Sequence, residues 1–128
     1  MRIVNPEREA ETVWVQGNTF NRVDIEAAVF QPENMAYLTG EYEAFVDFGD
    51  TAGQVTLNVG LECSDTALCD RHLVEDCFVE RFLRYKNGLK EQYHEGIFKI
   101  RLTYAAPGGL EMFRNRGRPR RLIDRRRG

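Results

Sequence analysis

The chain has 128 residues, three cysteines and a net charge of −2. That length suits one domain, residues 1–128, with a hydrophobic core that needs neither disulfides nor metal. The odd cysteine count argues against a disulfide framework, no apolar run approaches the roughly 20 residues of a membrane helix, and Met1 to Pro6 lacks a signal peptide's apolar stretch, so a cytoplasmic location is expected.

Residues 1–12 read as a polar hinge or lead-in segment, 13–106 as the body and 107–128 as a basic tail. Val13-Trp14-Val15 is a short β-type run, and Gly17 after it permits a turn or a close backbone approach. Asn21 is a good helix N-cap, with Asp24 three residues on in the manner of a capping box. Ile25, Ala28 and Val29 then share a helix face, and Gln31-Pro32 ends it, because the residue before a proline disfavours the α conformation.

Tyr42, Ala44, Val46 and Phe48 alternate with Glu41, Glu43, Phe45 and Asp47, which predicts a strand with one apolar face. Gly49 to Gly53 reads as a turn. Val55, Leu57, Val59 and Leu61 then alternate strictly with Thr56, Asn58, Gly60 and Glu62, so the two runs form an antiparallel hairpin. A long helix is expected from Ser64 or Asp65, with Leu68, Val74, Phe78, Phe82, Tyr85 and Leu89 at helical spacings and a break at Asn87-Gly88. Phe98, Ile100, Leu102 and Tyr104 alternate again, and Ala106-Pro107-Gly108-Gly109 terminates that strand.

The order β-α-β-β-α-β predicts an α+β, ferredoxin-like antiparallel sheet with both helices on one face and a basic C-terminal tail. The opposite face is expected to be open to a partner or ligand. From Arg114 onward the chain carries eight arginines and a single acid, Asp124, so a charge of +7 sits on the tail and about −9 on the rest. Arginine forks suit phosphates, carboxylates and nucleic-acid backbones. A solvated, disordered tail is the competing reading, but Leu122 and Ile123 within the run need somewhere to pack.

Cys63, Cys69, His72 and Cys77 are of metal-ligand type but match no zinc spacing, so no metal site is expected. Cys77 falls in the apolar stripe, where a thiol acts as a small hydrophobe. Neither His72 nor His94 neighbours a nucleophile motif, and Glu41/Glu43 and Glu75/Asp76 read as solvated faces. Gly108-Gly109 matches no phosphate-binding fingerprint and is expected to lend the tail mobility.

Three segments, in order, resemble the C-terminal lid domain of AMP-forming (adenylate-forming) ligases, in the branch of phenylacetate–CoA ligases and deazaflavin-coenzyme adenylating synthetases. The family enters its lid through G-R-x-D-D and a short strand ending in glycine; Arg8, Val13-Trp14-Val15 and Gly17 fall at those places. Asn18-Thr19-Phe20 and Asp24-Ile25-Glu26 match its N-V-(Y/F)-P and (D/E)-(I/V)-E. Gly117-Arg118-Pro119-Arg120-Arg121-Leu122-Ile123-Asp124-Arg125-Arg126 matches its G-K-x-x-R-(V/L)-I-D-x-R. Ala10 and Glu11 replace the hinge aspartates, Arg22 or Val23 stands in place of the proline, and Arg118 stands where the family has its adenylation lysine.

The resemblance implies a lid that closes over ATP and Mg2+ held by an N-terminal adenylating core, then rotates to offer the Gly17 strand to an acceptor such as coenzyme A. It assigns the catalytic place to Arg118 and nucleotide or coenzyme A binding to Arg8, Gly17, Asn18, Arg120 and Arg121. The core is expected to lie outside this chain, leaving it inactive alone and inclined to form a homodimer; no membrane partner is expected. The alternatives are a regulatory or interaction domain without chemistry, and a small nucleic-acid-binding module using the arginine tail. The second is disfavoured by the acidic body and the absence of an RNP-type aromatic motif.

Overall fold

The computed structural model describes residues 8–9, 11–111, 119 and 121–126, with residues 8–9 as backbone only. In chain order the elements are β1 (Arg8–Glu9), β2 (Thr12–Val15), β3 (Asn18–Asn21), α1 (Arg22–Val29), α2 (Pro32–Met35), β4 (Leu38–Phe48), β5 (Val55–Cys63), α3 (Arg71–Leu83), α4 (Asn87–Glu95), β6 (Phe98–Ala105) and β7 (Leu122–Asp124). The architecture is α+β and consistent with a ferredoxin-like arrangement. Among the described residues no helix is long and apolar enough to cross a membrane.

A five-stranded sheet has the order β1-β7-β4-β5-β6, and β2 and β3 form a separate two-stranded sheet. The antiparallel pair β4·β5 runs from Tyr42 opposite Leu61 to Phe48 opposite Val55, so the apolar sets found by alternation share one face. The sheet is mixed rather than wholly antiparallel: β5 and β6 are parallel from Val55/Phe98 to Glu62/Ala105, and β4 and β7 are parallel from Ala44/Leu122 to Val46/Asp124. The first parallel pair has a direct cause. A helical crossover, here α3 and α4, returns the chain to the end of the sheet from which β5 started.

The core lies between the helices and one sheet face. Val13, Val15, Phe20, Ile25, Val29, Val46, Leu57, Leu61, Phe78, Phe82, Phe98 and Leu122 belong to one buried cluster, with Ile100 and Leu102 packed at its margin. Phe20 meets Phe82 edge-on at 5.3 Å and Phe98 at 5.7 Å, so the small hairpin is built into the same core. The expected capping box at α1 is present: the Asp24 N–H donates to Asn21 Oδ1 (3.1 Å) and the Asn21 N–H to Asp24 Oδ2 (2.8 Å).

The long helix divides and starts late. Asp65 ties residues 65–68 into a turn, accepting from the Ala67 N–H (2.9 Å), and Asp70 caps α3 by accepting from the Leu73 N–H (3.2 Å). Leu68 and Tyr85 therefore leave the apolar stripe and are 73% and 80% exposed.

The second face of the sheet is covered in part: Lys99, Arg101 and Thr103 of β6 are exposed on it, but Gly60 and Glu62 are buried. After β6 the chain folds back across it. The Gly108 N–H donates to Glu62 Oε2 (2.7 Å), and the Glu111 N–H donates to Glu43 Oε1 (3.0 Å). Leu110, 2% exposed, rests on Gly60, where a side chain's Cβ would lie 3.5 Å from its methyl group and 3.2 Å from Glu43. Gly108, at φ 75°, forms a pinned turn with Gly109, whose N–H donates to the Ala106 carbonyl (2.8 Å). The expected mobility at that pair gives way to anchoring.

Candidate functional site

Two of the segments that carry the family resemblance, Arg8 and the C-terminal motif, meet at the β1–β7 side of the sheet. Leu122 is fully buried and Ile123 is 4% exposed, so the end of the arginine run is an inserted strand rather than a solvated tail. β7 lies between β1 and β4: Arg8 pairs with Asp124 and Glu9 with Ile123. Arg8 is thus brought beside the C-terminal motif in backbone register.

The arginines that flank β7 have structural partners. Arg126 donates through Nε and Nη2 to both oxygens of Asp124 (3.0 and 2.9 Å) and through Nη1 to the Trp14 carbonyl (2.9 Å). Both side chains of that forked pair are only 16% exposed, which makes it more than a loose surface contact. The Arg125 guanidinium stacks 4.0 Å above the Phe45 ring. The Arg121 carbonyl accepts from the Ala44 N–H (2.9 Å), and the β4·β7 register carried one step back sets Arg121 level with Glu43. Arg118 and Arg120 lie outside the described residues.

Gly17 and Asn18 lie apart from that side, at the tip of the β2–β3 hairpin. Gln16 (φ 45°) and Gly17 (φ 89°) form the two-residue turn of the β2–β3 hairpin. Positive φ at both central residues is the requirement of a type I′ turn. A Cβ at Gly17 would meet nothing within 4 Å, so the demand there is on backbone conformation rather than space.

The tip is exposed but firmly held. Gln16 Nε2 donates to the Gly53 carbonyl (3.0 Å), Gln92 Nε2 to the Val15 carbonyl (3.0 Å), and Lys86 Nζ to the Thr19 carbonyl (3.2 Å). Lys86 also pairs with Asp24 at 3.1 Å. The Asn18 carboxamide lies against Gly88 in the first turn of α4, where any Cβ would overlap it. Its visible work is docking the hairpin onto that helix.

Glu26, the last residue of the D-I-E run, accepts from the hydroxyl of the fully buried Tyr42 (2.8 Å) and pairs with Arg22 at 3.2 Å. Asp24 caps the helix and Ile25 is core, so each residue of that motif has a structural role.

Gly17 and the start of β7 therefore do not converge on one pocket. Arg121 is level with Glu43, while the hairpin tip reaches Gly53, past the far end of β4. Five residues of strand separate the levels of Glu43 and Phe48, roughly 16 Å.

Trp14 was not singled out as a site residue, yet it is 62% exposed on the outer side of the hairpin, and its carbonyl joins the hairpin to β7. The signal available in sequence was a tryptophan flanked by two valines, the alternate position of a short strand. Among the described residues no group of three or more histidine, cysteine or acidic side chains is placed to hold a metal ion.

Comparison with known proteins adds no family: no protein-family model matches the chain, and no curated protein matches it significantly.

Proposed function

We propose that the chain is the C-terminal lid domain of an AMP-forming acyl-CoA ligase or coenzyme adenylating synthetase, resembling that of phenylacetate–CoA ligase. It works with an N-terminal core that binds ATP, Mg2+ and the acid substrate. The supporting observation is that the Gly17 turn and Arg121, at the entry to β7, lie at well-separated levels of one connected unit, the hairpin tip reaching Gly53 while Arg121 stands level with Glu43. A lid that presents its two ends to the same core in turn requires that separation. The Arg126 bridge between Asp124 and Trp14 fits a unit that rotates as one body.

In this reading Arg118 contributes charge alone, since a guanidinium has no neutral form near pH 7. It attracts the α-phosphate and the developing pyrophosphate charge. Arg8 and Arg120 add positive charge at the nucleotide, Arg121 aligns the approach through its β4 contact, and Gly17 and Asn18 offer the hairpin to the acceptor thiol.

The test joins the chain to a lid-deleted core of a phenylacetate–CoA ligase and measures single-turnover adenylate formation. The lid should raise the rate above that of the core alone, Arg118→Ala should remove about a hundredfold, and Arg118→Lys should recover much of it. No gain over the core alone, with the lid folded, would overturn the reading. By itself the chain should release no pyrophosphate from ATP.

The open edge of β6 favours a second reading, a non-catalytic interaction domain that pairs with a second copy. That strand has a neighbour on one side only among the described sheet strands. A dimeric mass by light scattering, together with no effect on any ligase core, would select it.

A further inference from the structure

The two edges of the five-stranded sheet differ. Among the described residues, β1 closes one side with Arg8–Glu9, while β6 closes the other with 8 residues in unbroken register with β5 from Phe98 to Ala105. Short length, prolines and bulges are common guards against an incoming strand. β6 has none of these: Phe98-Lys99-Ile100-Arg101-Leu102-Thr103-Tyr104-Ala105 lacks proline, and no step of its register slips.

The backbone of β6 is committed on one side only. The Val55 N–H donates to the Ile97 carbonyl (2.8 Å). In a strand the N–H and carbonyl of one residue point the same way, and the direction alternates from residue to residue. Lys99, Arg101 and Thr103 therefore turn their backbone groups to β5, and Ile100, Leu102 and Tyr104 turn theirs outward along the free edge. Among the described residues no strand pairs with them there.

The side chains set what an added strand would carry. Ile100, Leu102 and Tyr104 lie on the helix-covered face, half-buried at the margin of the core, so an added strand would extend that apolar face. Lys99, Arg101 and Thr103 are exposed on the other face. Neither Lys99 nor Arg101 has an ion-pair partner among the described residues. Asp47, in one row with Lys99 through Thr56, is engaged instead by Asn58 Nδ2 (3.4 Å).

We propose that the free edge of β6 takes up an extended segment of a partner protein in which acidic residues alternate with apolar ones. The added backbone would bond the outward groups of Ile100, Leu102 and Tyr104. Its acidic side chains would lie beside Lys99 and Arg101, and its apolar ones would cover the margin at Ile100 and Leu102. The open edge by itself would admit a second copy of the chain, but its charges do not favour one. Pairing β6 with β6 about a twofold axis through the sheet would gather Lys99 and Arg101 of both copies on one face, where like charges repel.

The test mixes the intact chain with a capped peptide of alternating glutamate and valine, equal in length to β6, and follows binding by calorimetry and amide exchange. The peptide should bind, and exchange should slow at Ile100, Leu102 and Tyr104. Lys99 and Arg101 should change little, because their N–H groups already bond β5. A lysine–valine peptide should bind about tenfold more weakly, or worse. Lys99→Glu combined with Arg101→Glu should reverse the order of the two peptides. Equal affinity for both peptides, or protection away from β6, would overturn the proposal. So would no binding of the glutamate peptide, which would leave Lys99 and Arg101 as guards of the edge. A dimer of the chain alone that protects the same amides would overturn it in favour of a second copy. If the double variant does not fold, the two peptides on the unaltered chain still decide the question.

Discussion

Glu62 and Cys63 are neighbours in β5, yet they are buried on opposite faces of the sheet and for opposite reasons. Cys63 joins the apolar face, where helices, hairpin and strands exclude water from one continuous core. Glu62, 6% exposed, lies on the other face, where it accepts from the Thr39 hydroxyl (2.7 Å) and the Gly108 N–H. One face is held by area removed from water, the other by a few directed bonds that strap a returning chain across it. The first kind of contact is spread over many residues; the second is concentrated in few.

The comparison can be broken on either side. Leu57→Ala, in the middle of the helix-covered face, should cost about 2–5 kcal/mol in reversible denaturation. A loss below about half a kcal/mol would mean that this face is not the core. Glu62→Ala should cost less, about 1–3 kcal/mol, because it orphans one hydroxyl and one backbone N–H. Its signature should be local: faster amide exchange at Gly108 with the helices still protected. Uniform loss of protection would show that the strap and the core unfold as one.

Titration gives the smallest effect at neutral pH and sharpens the same contrast. The buried thiol's value is raised in the folded state, so the fold binds that proton more tightly than the unfolded chain does. The associated stability is complete below the ordinary value of 9.0 and drains away as pH rises toward about 12. Burial raises Tyr104 as well, adding to the same alkaline limb. Denaturation midpoints of the unaltered chain and Cys63→Val should run parallel below that window and converge or cross within it. Parallel curves throughout would place the Cys63 thiol in water.

Much of the helix-covered face was legible in sequence because period-two alternation in residues 42–48 and 55–61 speaks directly about sidedness. The α1 cap was equally plain, since Asn21 and Asp24 satisfy each other within one turn. Pairing was harder to read. Val13-Trp14-Val15 joins a hairpin turned by Gln-Gly, which lacks the Asn-Gly or Asp-Gly signal, and nothing in its period says which strand it will meet. The strap across the second face was not legible, because Glu43 looks like a solvated acid until the backbone N–H group that it accepts from is known.

The candidate site was legible only in part. Arg121, Arg125 and Arg126 sit in a charge run whose composition suggests a tail, while the two apolar residues among them supply a strand. Composition weighs charge; the fold turned on where Leu122 and Ile123 could be buried.

The position of β7 has a consequence for the birth of the protein. This strand lies between β1 and β4, so β1 and a central strand both wait for the last-made of the described strands. A nascent chain stopped before Leu122 presents the unpaired rim of β4 and gives Arg8–Glu9 no ladder to join. Closure of the sheet therefore waits until Leu122–Asp124 has been made, and a chain stalled short of it carries an adhesive strand border for as long as translation pauses.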